Sequence, residues 1–329
     1  MKIPILFIVF NRSDTTQRVF EEIKKARPLR LYIASDGPRE DKKGEAKIVE
    51  KIREYLLKNI DWNCEVKTFF ENKNWGPMKY VSMAITWFFE NEEMGIILEH
   101  DCVPSQSFFK FCEELLVYYK DDDKVGMIFG FNPFSNRIKI DSSFFFSKYD
   151  IIWGWATWRR VWKLYDVEIK SWIEDKKSGV LNSFSDNYLV RKYFQLIFDL
   201  YYYKVEKSSW DAQFSYVLMK HNMLTIVPQK NLIKNIGYGS EDAVHTIDKA
   251  PSYIENAELE ELRFPIVYPS NYIIYNRWER LIEKVHHKIT FFKIVKLYLK
   301  LILGKYDLFF IYKFFRGIYR KVKKFLSFK

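Results

Sequence analysis

The sequence predicts an α/β protein built on an open, doubly wound, mostly parallel sheet. Three observations carry that prediction. Short apolar runs alternate with amphipathic helical stretches through the first 130 residues. The first run, Ile3 to Phe10, is continuously apolar, as a strand covered on both faces of a parallel sheet must be. Several runs end in a polar cluster, at Asn11-Arg12, Asp36-Gly37 and Glu99-His100-Asp101, where open α/β sheets bind their ligands.

Taken in order, Asp14 to Lys25 reads as a helix with Val19 and Ile23 on one side, and Leu29 to Ala34 as the second strand. Lys42 to Lys58 places Ile48, Ile52, Tyr55 and Leu56 on one helical face. Glu65 to Phe70 is the third strand, followed by the loop Asn72 to Pro77 and a helix to Glu90. Gly95 to Leu98 is the fourth strand. Ser105 is placed to cap a helix running through Tyr119, and Val125 to Phe129 forms the fifth strand. Residues 131–283 are less regular, with aromatic clusters and loops, and read as a second half of the same domain.

The formal net charge of +11 is unevenly placed. Residues 284–329 carry +12 and residues 1–283 carry −1. A nucleic-acid enzyme more often spreads positive charge over its working surface, so no nucleic-acid partner is expected. Cys64, Cys102 and Cys112 lack any C-x-x-C spacing, which fits a reducing compartment without disulfides or a zinc site. Met1 to Phe10 reads as a strand rather than a signal peptide, and no stretch supplies the roughly 20 apolar residues of a membrane span.

Glu99 and Asp101, at the end of a buried strand, point to one side if the chain stays extended, and two like charges there repel unless a cation intervenes. A Mn²⁺ or Mg²⁺ ion bridging to a diphosphate is one solution, and a solvated strand end is the other. Neither G-x-G-x-x-G nor a P-loop is present, so phosphate charge falls to a metal and to isolated cations. Arg12 and Lys79 are the best placed, Lys79 in the first turn of a helix whose backbone N–H groups also face an anion. Trp210 excludes water beside Asp211, as a general base requires, although the same aspartate also suits the opening of the helix Ala212 to Lys220. The tryptophans of the 153–158 loop suit stacking on sugar rings or burial in a core.

The ordered segments Ile5 to Arg12, Ser35-Asp36-Gly37, Glu99-His100-Asp101, Ile152 to Trp158, Ser209-Trp210-Asp211 and Asn235 to Gly239 resemble the N-acetylglucosaminyltransferase I family and its bacterial relatives. Those enzymes have the GT-A glycosyltransferase fold. The resemblance spans residues 3 to about 246 and implies that residues 1–130 bind a nucleotide sugar while residues 131–283 face the acceptor. It implies a metal ligand in Asp101, donor contacts from Arg12, Asp36 and Glu99, and a catalytic base in Asp211. Trp153, Trp155 and Trp210 fall on the acceptor side. His100 stands where the family's triplet has a second acid; contact with ribose or metal is expected, with simple packing as the alternative. His245 follows the Gly237–Gly239 turn and is a further candidate for metal or phosphate.

In the tail, Lys293, Lys296 and Lys300 form one basic stripe, and Lys313, Arg316 and Arg320 another, each opposite Phe, Leu, Ile and Val. Such helices lie in the interface of an anionic membrane. The expected whole is an inverting, Mn²⁺- or Mg²⁺-dependent transferase, peripheral on the cytosolic face of a bacterial membrane. It would move GlcNAc or another hexose from a UDP-sugar to a surface glycan or glycolipid. The rivals are a sugar-nucleotide nucleotidyltransferase, disfavoured by the absence of glycines in Asn11-Arg12-Ser13-Asp14, and a membrane-active protein working through its tail.

Overall fold

The computed structural model describes residues 1–239 and 249–306. His245, Lys313, Arg316 and Arg320 lie outside the described residues. The chain divides into two compact units, one of residues 1–167 and 208–281 and one of residues 168–207 and 282 onward.

The first unit opens as β1 (Ile5–Val9), α1 (Ser13–Ala26), β2 (Arg30–Ser35), α2 (Glu45–Lys58), β3 (Glu65–Phe70), α3 (Pro77–Asn91) and β4 (Met94–Glu99). It continues through β5 (Cys102–Pro104), α4 (Gln106–Tyr118), β6 (Val125–Phe129), β7 (Phe144–Ser147), β8 (Trp155–Trp158) and α5 (Arg159–Trp162). After the second unit's insertion come α8 (Asp211–Lys220), β9 (Leu224–Pro228), β10 (Ile233–Asn235), α9 (Ser252–Glu255) and α10 (Asn276–Leu281).

Eight strands form one sheet in the order β3-β2-β1-β4-β8-β6-β9-β7, with β8 antiparallel to both its neighbours and β7 antiparallel at the edge. The expected mostly parallel, doubly wound sheet is therefore present. From β1 the chain steps outward to β2 and β3, then returns to place β4 on the other side of β1. That reversal leaves a crevice at the carboxyl ends of β1 and β4, where Ile8 pairs with Glu99. Every residue of β1 is buried, as its unbroken apolar run requires. Trp155–Trp158, read from sequence as a loop, is a fully buried strand between β4 and β6.

Two helix starts differ from expectation. The second helix begins at Glu45 rather than Lys42, because Gly44 is left-handed at φ 87°. Ser105 precedes α4, but its hydroxyl bonds to Ser107. The Glu261 carboxylate instead accepts from the N–H groups of Gln106 (3.1 Å) and Ser107 (2.9 Å), so the cap comes from a distant segment.

The second unit holds α6 (Trp172–Lys177), α7 (Tyr188–Tyr202) and α11 (Phe291–Lys305). Residues 168–207, expected in the acceptor half, fold instead with the C-terminal segment because α7 packs along α11. Ile294 and Leu297 are buried, and a Cβ on Gly304 would lie 2.2 Å from Val205 Cγ1. Lys293, Lys296 and Lys300 share one flank of α11, as their spacing requires, but differ in exposure and partners. Lys300 is paired with Glu206, burial holds the pKa of Lys293 below the usual lysine range, and Lys296 is exposed. Among the described residues no helix is long and apolar enough to cross a membrane.

Arg53, on α2, ties the ends of β2 and β3 together. Its guanidinium donates to Ser35 Oγ (3.0 Å) and to the carbonyls of Ser35 (3.0 Å), Asp36 (3.1 Å) and Glu71 (2.7 Å), and lies over the Phe70 ring. A lysine's compact ammonium reproduces neither the fork nor the stacking. Arg53→Lys should lower stability by about 1–3 kcal/mol through buried carbonyls left unpaired. Denaturant titration measures it, and an unchanged midpoint would contradict this role.

Candidate functional site

At the β1/β4 crevice lies an open cleft walled by Phe10 to Arg12, Glu99 to Asp101, Asn74 to Pro77 (Trp75 excepted), Trp153, Ser208 to Trp210 and Asn235. Its floor is built from three segments. Arg12 lies in the loop after β1, immediately before α1, and its carbonyl accepts from the Thr16 backbone N–H (3.1 Å) in the first turn of that helix. His100 and Asp101 form the turn between β4 and β5, so the chain is not extended there as the sequence suggested. The third segment follows β10, which pairs antiparallel with β5, and the Ile236 N–H donates to the Asp101 carbonyl at 2.8 Å.

These segments converge on one carboxylate. Arg12 Nη1 lies 3.5 Å from Asp101 Oδ2 and donates to the Gly237 carbonyl at 3.2 Å. A Cβ on Gly237 would sit 2.0 Å from Asp101 Oδ2, so only glycine permits this approach. Burial, with the charges of Asp101 and Asp211, pushes the Glu99 carboxyl well above the usual carboxylate range, against the opposing pull of Arg12. His100 is pulled the other way: burial lowers its pKa and keeps the ring neutral, and its buried Nε2 has no partner.

Asp211 opens α8 in the chain directly after Ser208–Trp210 of the cleft wall and does not itself line the cleft. The Ser209 hydroxyl donates to Asp211 Oδ1. Trp210 is buried and stacks on Trp155 at 5.6 Å. One turn along α8 from Asp211, Ser215 donates to Asp150 Oδ2 at 2.8 Å. Burial pushes Asp150 up to about 7, with the Asp211 charge adding to the rise and Ser215 opposing it.

The cleft thus gathers Arg12, Glu99, His100 and Asp101, with Trp153 and Trp210 on its wall. Three expected residues are placed otherwise. Asp36 reaches the wall, but its carboxylate accepts from the backbone N–H groups of Gly37 (2.9 Å), Trp75 (3.0 Å) and Gly76 (3.0 Å). It clips two loops together, so most of its acceptor capacity is taken up by backbone N–H groups. Lys79 is exposed with Nζ 3.7 Å from the Trp75 ring centroid, held by cation–π attraction outside the cleft. Trp155 is wholly buried in β8 and does not line the cleft.

Sequence reasoning marked Asn11 only as part of the Asn11-Arg12 strand end and missed Arg39 and Asn74. Arg39 and Asn11 both bond to the buried Glu45 carboxylate, and Arg39 also lies over Phe10. Asn74 Nδ2 donates to the Gly37 carbonyl at 2.7 Å. Asn11 adjoins Arg12 at a strand end, which was the available signal; nothing local marked the other two.

Among the described residues no group of three or more His, Cys, Asp or Glu side chains is gathered as a metal site. A divalent ion bound together with a diphosphate needs fewer, since phosphate oxygens and water complete its shell. Asp101 and the unpartnered His100 Nε2, adjacent in one turn, fit that requirement.

No protein-family model matches the chain, and no curated protein sequence does. Among solved structures the chain is similar to the mannosyltransferase PcManGT from Pyrobaculum calidifontis in complex with GDP-Man and Mn²⁺, at 14% identity and a TM-score of 0.35. That match takes in 50% of this chain and 46% of the mannosyltransferase, so the chain spans about half the length of that protein. It is also similar to a cytidylyltransferase from Leptospira borgpetersenii, at 14% identity over 50% of this chain and 63% of that one, with a TM-score of 0.30. A third is an apo UDP-glucose pyrophosphorylase, at 11% identity over 78% of this chain and 96% of that one, with a TM-score of 0.37. These structural neighbours are thus a glycosyltransferase and two nucleotidyltransferases.

The raised pKa of Asp150 gives a signed expectation. The folded chain holds its proton to about pH 7, whereas an unfolded aspartate loses it near 4. Between those values the folded state binds more protons, so this group's contribution makes stability fall as pH rises. Asp150→Asn should match wild type at pH 4 and be more stable at pH 8, by on the order of 1–3 kcal/mol. Urea titrations at both pH values test this; an equal difference at both would place the carboxylate in water.

Proposed function

We propose that this chain is an inverting glycosyltransferase of GT-A type that takes a sugar from a UDP-sugar and passes it to a hydroxyl of a glycan or glycolipid acceptor. The observation that carries the reading is the meeting of Arg12, His100 and Asp101 at the carboxyl ends of β1 and β4, with Asp211 opening a helix from the same cleft's wall. Sheets of this kind bind ligands at that crevice, and no glycine-rich loop is there to cradle phosphates. An isolated arginine beside a metal-ligand carboxylate is the alternative way to meet a diphosphate.

Asp101 would hold Mn²⁺ or Mg²⁺, with His100 Nε2 as the second protein donor. When bound, such an ion neutralises charge on the departing diphosphate. Arg12 binds a phosphate oxygen, and Glu99 faces the donor sugar. Asp211, oriented by the Ser209 hydroxyl, takes the proton of the attacking acceptor hydroxyl, and a single base suffices for one inverting displacement. Trp153 offers a ring wall to the acceptor, while the buried Trp210, next to Asp211, keeps water from the base.

The test is a screen of UDP-sugars for Mn²⁺-dependent release of UDP, followed by Asp211→Asn. At least one sugar should be hydrolysed, and the variant should lose ~10²-fold or more in turnover with donor affinity little changed. A variant within a few-fold of wild type would remove Asp211 from the chemistry. Pyrophosphate exchange with a nucleoside triphosphate, without UDP release, would favour a nucleotidyltransferase instead.

A further inference from the structure

The helix α11 carries two apolar faces. One, through Ile294 and Leu297 with the half-buried Leu301, lies on the side packed along α7. The other is open to solvent. Phe291 and Phe292 are 65% and 83% exposed, and Val295, Tyr298 and Leu299 are exposed with them. Their spacing of i, i+4, i+7 and i+8 from Phe291 gathers them on one arc of the helix. At about 100° per residue, Lys296 falls on one edge of that arc and Lys305 on the other. Both lysines are exposed.

A run of large rings held in water costs free energy and requires a reason, since soluble chains seldom present contiguous apolar patches. Charge indicates what covers this one. Residues 284–306 contain six lysines and no acid. A protein partner's apolar surface would not by itself call for that excess, but an anionic bilayer does, at about 1 kcal/mol for each basic residue held near it. Lys305 lies with its Nζ over the Tyr203 ring at 4.1 Å, which leaves Lys296 as the rim lysine best placed to follow the apolar surface with its stem and reach the phosphates with its ammonium group, as suits a helix in the headgroup plane.

We infer that α11 is a membrane-docking helix, which inserts Phe291, Phe292, Val295, Tyr298 and Leu299 into an anionic lipid surface while its opposite face stays on α7. This relocates the contact from the lysine stripe to the aromatic arc, because Lys300 is already paired with Glu206. It does not rest on the transferase reading, and nucleotide-sugar hydrolysis serves as its control.

The experiment uses the full chain with vesicles of phosphatidylethanolamine and phosphatidylglycerol, and with phosphatidylcholine vesicles for comparison. Wild type should float with the anionic vesicles, and high salt should weaken flotation without abolishing it. Phe292→Glu combined with Leu299→Glu should reduce bound protein at least tenfold. Both positions are solvent-exposed, so thermal midpoint and any UDP-sugar hydrolysis should match wild type. Separately, the emission of Phe292→Trp should shift to the blue when anionic vesicles are added. The inference is overturned if the double variant floats as wild type does, if no blue shift occurs, or if wild type fails to float. It is equally overturned if the arc is the seat of a lipid-free dimer that the double variant dissolves, since the occupant is then a second copy.

Discussion

The site depends on one electrostatic constraint: acids gathered at the end of a buried strand must be balanced from outside that strand. Glu99 and Asp101 close β4, and Asp211 adds its charge from α8. Arg12 is the cation the fold supplies to Asp101, and it comes from the loop after β1 because the sheet places β1 beside β4. One guanidinium does not neutralise three carboxylates. Burial first, and then the charges of Asp101 and Asp211, raise the Glu99 pKa well above the usual carboxylate range, and a further cation would be welcome beside Asp101, next to which His100 Nε2 is buried without a partner.

The rest of the cleft reads as scaffolding for that balance. Gly237 allows its loop to approach Asp101 closely enough for Arg12 to bridge the two. Asp36 and Arg53 work on the neighbouring wall, one joining the loops after β2 and β3 through backbone N–H groups, the other joining the same strand ends through carbonyls. Both are buried ionised-type groups spent on backbone partners, which fixes loop geometry before any ligand arrives. Arg39 and Asn11, which also line the cleft, are held by a shared side-chain partner, the Glu45 carboxylate.

Much of this was legible in the sequence for a local reason. A parallel strand is apolar throughout and the polar residues at its carboxyl end come shortly after it, so β1, β4 and the strand-end positions of Arg12 and Asp101 were readable from a few neighbouring positions. What failed was non-local. Nothing near Trp155 reveals that it lies between β4 and β6, which come from earlier in the chain, so a core strand was read as a loop whose rings suited sugar stacking and burial alike. Asp36 looked free because its donors lie 39 and 40 residues ahead. Lys79 looked like a phosphate ligand because the ring that holds it belongs to the preceding loop. The grouping of residues 168–207 with α11 followed the same rule: an apolar helix face announces that it is covered, not by what.

The central claim is that Asp101 holds a cation-assisted diphosphate site at the β1/β4 crevice. Calorimetric titration of UDP into wild type and Asp101→Ala, each with and without Mn²⁺, tests it most directly. Wild type should bind UDP more tightly with Mn²⁺ present, and the variant should lose that metal-dependent gain while its thermal midpoint stays near wild type. Metal-dependent affinity undiminished in Asp101→Ala would contradict the account and move the diphosphate elsewhere.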